Sequence, residues 1–243
     1  HDWIADNALQ LQTRVVSHFE TTYHDSFLIG TEAPDNPDYI GDSATHHIYY
    51  YSDGEIQDDS SADRAEIMYN SALSRLVAGD YEIAAYYMGA MTHYISDVGV
   101  SGHTMGAYTD WGSEVHHSDY ESEFESIIGS LNLPSTASLA DSTAYDAAMD
   151  LAMSTTFGSG TIKTNVWMDT NYDWGNDVFE ASAKTSLYRS VEAAAAAINH
   201  LLAAAETTPD EPIPDTPTYE APNPPASLDA YVDGSEIALV WSP

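Results

Sequence analysis

The chain contains no cysteine. Disulfides and thiolate metal sites are therefore excluded, and any bound metal must be held by nitrogen and oxygen donors. Basic residues are also scarce. Six Lys and Arg stand against 39 Asp and Glu, a formal net charge of -33 over 243 residues. That balance argues against a large electrostatic footprint on long nucleic acid and against strong adhesion to anionic membranes. The plain reading of such an excess is a solvated acidic surface, of the kind that high salt screens in proteins from salty environments. No run of about 18 apolar residues is present, so no segment reads as a membrane-crossing helix. No leader pattern opens the chain, which begins in a helical pattern at His1. A processed extracellular protein and a shortened piece both fit that start.

With 43% hydrophobic residues, the chain is large enough for one sizeable core plus an appendage. Hydrophobic periodicity predicts helices over Asp2–Val16, Ser61–Val77, Tyr81 to about Val98, Ser113–Leu131, Ser142–Ser154 and Asp177–Ala205. The last contains a run of alanines, Ala193–Ala197, which favours helix and close packing. The stretch from Phe27 to Gly54, punctuated by Gly30, Pro34, Pro37 and Gly41, reads as a long loop. Phe157–Lys163 also reads as loop. The expected fold class is all-α, a multi-helix bundle with a short β-like tail at the C-terminal end. The helical domain is expected over residues 1–206 and a Pro- and acid-rich linker over 207–226. Strand-like alternation follows over 227–243 (Leu228, Ala230 and Val232, then Ile237, Leu239 and Trp241).

Two short segments carry the chemistry. His93 and Asp97 are four residues apart, as are His117 and Glu121, so each pair shares a helix face. Gly99 and Gly102 break the first helix and present His103 from a turn. Imidazoles and carboxylates converging from several helices form metal sites in bundle cores, and a nitrogen/oxygen donor set suits zinc. The remaining candidates are His1, Asp35 and the adjacent pair His46 and His47. His18, His24, His116 and His200 fit no ligand position and read as surface or structural residues.

These residues resemble the zinc-dependent phospholipase C family, which includes the Bacillus-type enzymes and the clostridial alpha-toxin catalytic domain. Fungal zinc single-strand nucleases are related to that family. The family's His-Tyr-x-x-Asp-x5-His segment is matched by His93, Tyr94, Asp97 and His103, and its His-Ser-x-Tyr-Glu segment by His117–Glu121. Its Gly-x-x-x-Pro-Asp segment is matched by Gly30–Asp35, and its His-aromatic segment by His47-Ile48-Tyr49, with His46 as the alternative. The first-helix histidine falls at His1, without the tryptophan that precedes it in the family. The resemblance covers roughly residues 1–205, and the tail resembles the start of a fibronectin type III domain, which needs about 100 residues to close.

The resemblance implies a cluster of up to three zinc ions held by His1, Asp35, His47, His93, Asp97, His103, His117 and Glu121. Asp97 would bridge two ions, and Asp35 would act as the general base. It also implies a phosphoric diester hydrolase acting on phospholipid or another phosphodiester. The expected setting is extracellular or at the cell surface, with self-assembly or docking through the tail as a further expectation. The family's headgroup-binding aromatic after the aspartate is Asn36 here, leaving Tyr39 and Tyr49–Tyr51 as nearby rings. A nuclease or phosphatase of small phosphoesters, and a non-catalytic surface protein stabilised by zinc, are the competing expectations.

Overall fold

The structure is a computed structural model, and it describes residues 1–12, 17–132, 140–207, 227–233 and 236–242. The chain divides into two compact units, His1–Asp210 and Glu211–Pro243. The first holds α1 (Asp2–Gln10), α2 (Ser17–Glu20), α3 (His24–Glu32), β1 (Tyr49–Tyr50), β2 (Ile56–Asp58), α4 (Ser60–Val77), α5 (Tyr81–Asp97), α6 (His117–Ile127), α7 (Ala144–Phe157), α8 (Asn165–Thr170) and α9 (Asp177–Thr207). In the second, β3 (Ser227–Asp233) pairs antiparallel with β4 (Glu236–Ser242), Ser227 opposite Ser242. The expected linker at 207–226 lies outside the described residues, apart from Thr207.

The helical unit is organised around α5. Every residue from Met88 to Asp97 is buried, with α3, α4, α7 and α9 packed around the helix. A helix apolar on all sides belongs in the middle of a bundle, and α5 has that character. Small residues set the packing distances. Ala194–Ala197 of α9 are all buried, so the alanine run is a packing face as well as a helix former.

The closest approach is between α3 and α5. A Cβ added to Gly30 would lie 2.0 Å from the Tyr86 carbonyl oxygen, and one added to Gly89 would lie 2.0 Å from that of Phe27. Only glycine at both positions lets the two backbones meet this closely. This corrects the expectation of loop from Phe27 onward: Gly30 is inside α3, where it serves packing, not chain reversal. The expected loop also supplies β1, which pairs with β2 just after it, Tyr49 opposite Asp58. Two other helices are shorter than periodicity predicts. α1 ends at Gln10, and α6 begins at His117, after a stretch where Asp169 Oδ1 accepts the backbone N–H of Val115 at 2.8 Å and of His116 at 3.0 Å.

Candidate metal centre

The crossing of α3 and α5 has a chemical consequence. It places the carbonyl oxygen of Thr31 2.6 Å from Nδ1 of His93. A carbonyl can only accept, so Nδ1 carries the hydrogen and Nε2 carries the lone pair. That nitrogen points into the molecule: His93 is fully buried, and Nε2 lies 3.1 Å from Asp97 Oδ2, one turn along the helix. The shared face read from the four-residue spacing is therefore an inner face.

Three donor groups adjoin one another here. The first is Asp35, His46 and His93, with His46 Nδ1 3.3 Å from both Asp35 Oδ1 and His93 Nε2. The second is His1, His93 and Asp97. His1 stacks on the His93 ring at 3.9 Å, with its Nε2 3.3 Å from Asp97 Oδ1 and its Nδ1 3.0 Å from Ser96 Oγ. The third is His103, His117 and Glu121. In it, His117 Nε2 lies 3.0 Å from His103 Nε2 and 2.9 Å from Glu121 Oε1. Gly102 makes room for this group, since a Cβ there would meet the His117 ring at 2.6 Å. Asp97 connects all three: Oδ2 faces His46 and His93, while Oδ1 faces His1 and, at 3.8 Å, His103.

The sequence-based set is thus brought together with one exception. His47 lies outside the cluster; its Nε2 is 3.3 Å from Asp58 and its ring stacks on Tyr49. His46 takes the inner position. The two histidines follow a 3-10 turn, Ser43–Thr45, where the chain turns so that the first side chain is buried and the second faces outward. Of the tyrosine run, Tyr50 is core, with its hydroxyl donating to the Met149 carbonyl at 3.0 Å, and Tyr49 covers His47. Sequence reasoning did not single out Thr31 or Ser96 as supports, because nothing local marks a residue whose partner lies far along the chain.

The electrostatics are those of a strongly coupled site. Burial alone would push the Asp97 carboxyl up, but His93, His103 and His46 hold it well below the usual carboxylate range. Burial pulls His46 down, yet Asp35 and Asp97 together push it up to about 10. Glu121 is raised by burial but brought down to about 2 by His103 and His117, while Glu121 raises His117.

The donors fit zinc. An ion bound tetrahedrally at about 2.0–2.1 Å keeps its ligand atoms about 3.3 Å apart, the separation seen between these nitrogens and oxygens. Asp97 Oδ2, which faces the cluster, is moreover buried without a hydrogen-bond partner. A cleft of about 550 Å³ opens onto the cluster, lined among others by His1, Trp3, Glu32, Asp35, Glu121 and Phe124. A second cavity of about 560 Å³, between Leu11, Leu151 and Ala193, contains none of the donors.

The sequence profile of the zinc dependent phospholipase C family matches residues 1–176. The chain belongs to that family. This family member shares its fold with the alpha toxin of Clostridium absonum (TM-score 0.60, 14% identity, covering 86% of this chain and 64% of the toxin). It is also similar to the alpha-toxin of Clostridium perfringens from an avian strain (TM-score 0.55, 16% identity, 85% and 64%). The chain therefore spans about 64% of the length of these toxins. No curated protein sequence matches it. The all-helical fold expected from periodicity is the fold of this zinc-dependent family.

Proposed function

We propose that this zinc-dependent phospholipase C family member hydrolyses the phosphodiester bond of phospholipids, releasing diacylglycerol and a phosphorylated headgroup. The observation that carries the reading is the convergence of three donor groups on Asp97, beside a cleft lined by His1, Asp35 and Glu121. His1, Asp35, His46, His93, Asp97, His103, His117 and Glu121 would hold up to three zinc ions. Zinc bound there supplies Lewis-acid polarisation of the phosphoryl oxygens and activation of water.

The protein's own residues do the rest. Thr31 fixes the His93 ring and Ser96 steadies His1, so the donors are oriented before substrate arrives. Asp35 is the member of its group most open to solvent, with 57% of its side chain exposed. Its hydrogen bond with His46 holds its carboxyl below the usual range despite partial burial. Asp35 is therefore ionised at neutral pH, orients the attacking water and takes its proton. The water oxygen adds to phosphorus, the bond from phosphorus to the glycerol oxygen breaks, and that oxygen leaves as the alcohol, taking a proton from solvent while Asp35 returns its own to solvent. Trp3 and Phe124 give the cleft apolar walls beside the carboxylates of Glu32 and Asp35. An extracellular setting belongs to the same reading.

The test is headgroup release from phosphatidylcholine dispersed in detergent, by zinc-loaded protein with and without chelator. Chelator-sensitive release of a phosphorylated headgroup supports the proposal; no release from fully loaded protein overturns it. Asp35→Asn should cut the rate by about 10²–10⁴-fold.

A further inference from the structure

Nε2 of His46 is buried and has no hydrogen-bond partner. It is aimed at Asp42, whose Oδ1 lies 3.6 Å away, on the side of the imidazole opposite the metal-site donors. Asp42 is itself tightly held. Arg64 Nε lies 2.6 Å from its Oδ2, the Tyr94 hydroxyl donates to its Oδ1 at 2.5 Å, and the Thr45 hydroxyl donates to Oδ2 at 3.2 Å. Arg64 is one of only six Lys and Arg in the chain, and its guanidinium lies 5.4 Å from the Tyr94 ring centre. The Tyr94 ring also meets His46 edge-on at 5.2 Å. A scarce cation and a buried hydroxyl thus converge on one carboxylate that also faces the second nitrogen of His46.

We infer that Asp42 is a positioning residue for the group formed by Asp35, His46 and His93: it takes the Nε2–H of His46 and so turns Nδ1, with its lone pair, toward that group. The inference rests on the zinc reading given above. A neutral imidazole has one N–H, and whichever nitrogen gives it to a partner leaves the other free to ligate. Carboxylates in this position fix the ring and strengthen the ligand nitrogen. The same assignment explains why His46, and not His47, serves: His47 already has Asp58 as its carboxylate, 3.3 Å from its Nε2. Tyr94 acts at one remove, through Asp42 and the face of His46, which gives the tyrosine after His93 a chemical role beyond packing.

The experiment is a zinc titration of the whole chain against a chromophoric chelator, with cobalt(II) absorption as a second readout of ligand geometry. The parent is compared with Asp42→Ala and Asp42→Asn, and melting of the chelated proteins is followed in parallel. Asp42→Ala should weaken one ion of the set by about 10–100-fold and alter the cobalt spectrum, with the other ions unaffected. Asp42→Asn, which keeps an acceptor oxygen, should fall between Ala and parent. A folded Asp42→Ala with affinity within twofold of parent and an unchanged cobalt spectrum would overturn the inference. So would equal weakening of all the ions together with a lowered melting point of the chelated protein, which marks a purely structural role. Should Asp42→Ala not fold, the isosteric Asp42→Asn decides, parental affinity in it being the contrary result. A parent that binds zinc and shows the Asp42 effect but hydrolyses no phospholipid would remove the proposed function alone.

Discussion

Nδ1 of His46 stands 3.1 Å from Oδ2 of Asp97, the first on an irregular turn and the second at the end of the central helix. That contact joins the donor group containing Asp35 to the carboxylate shared by all three groups. It also yields the sharpest distinction between neighbouring residues. His46→Ala should lose zinc and lower the thermal stability of the loaded protein, because metal-binding energy contributes to folding. His47→Ala should keep the parental zinc content. Elemental analysis of both variants checks this, and zinc loss only in His47→Ala would reverse the assignment.

The crossing of α3 and α5 should tolerate no side chain. Gly89→Ala places a methyl group 2.0 Å from the Phe27 carbonyl oxygen, which is backbone and cannot move aside cheaply. Overpacking of this kind costs about 1–3 kcal/mol or more. For a domain of this size, each kcal/mol is about 2–4 °C of melting temperature. The same displacement pulls Thr31 from His93, so zinc affinity should fall as well. Calorimetry with a zinc titration tests both effects; an unchanged melting point would contradict the packing argument.

Without metal, the site should make stability depend on pH from both sides. His46 has its folded pKa raised to about 10, so its contribution is fully present below its unfolded value near 6.5 and is lost as pH rises through about 10. Asp97 is depressed by its histidine neighbours, so its contribution is present above its unfolded value near 3.9 and is lost as pH falls toward its folded value. Urea unfolding of chelated protein should therefore show greatest stability between about pH 4 and 6.5 from these two groups. Zinc must displace the His46 proton from Nδ1, so binding at pH 7 should release protons, measurable by calorimetry in buffers of different ionisation enthalpy. Proton uptake would contradict the assignment.

The surface gives a separate expectation. With a net charge of -33, self-repulsion opposes the compact state and salt screens it. Melting temperature should rise by several degrees, roughly the equivalent of a few kcal/mol, between about 0.05 and 2 M sodium chloride. A flat or falling curve would show that the acidic surface does not limit stability.

Periodicity made the α4, α5, α7 and α9 helices legible because their buried stripes are long. The helical spacing also put His93 with Asp97, and His117 with Glu121, on common faces. Three features were less legible. α3 was hidden because Gly30, followed by Pro34 and Pro37, reads as a break in the sequence, whereas it becomes a packing residue once Gly89 of α5 is beside it. The choice between His46 and His47 depends on the backbone after a 3-10 turn, where side-chain direction has no period to follow. The supports Thr31 and Ser96 are ordinary residues locally, and gain meaning only when the fold brings His93 and His1 to them.

The measurement that reaches the central claim most directly is the number of zinc ions per folded chain, by elemental analysis of protein purified without chelator. The three donor groups around Asp97 lead us to expect three, with loss of at least one in Asp97→Ala. A folded chain that takes up no zinc at saturating concentration would contradict the metal centre and, with it, the proposed hydrolase.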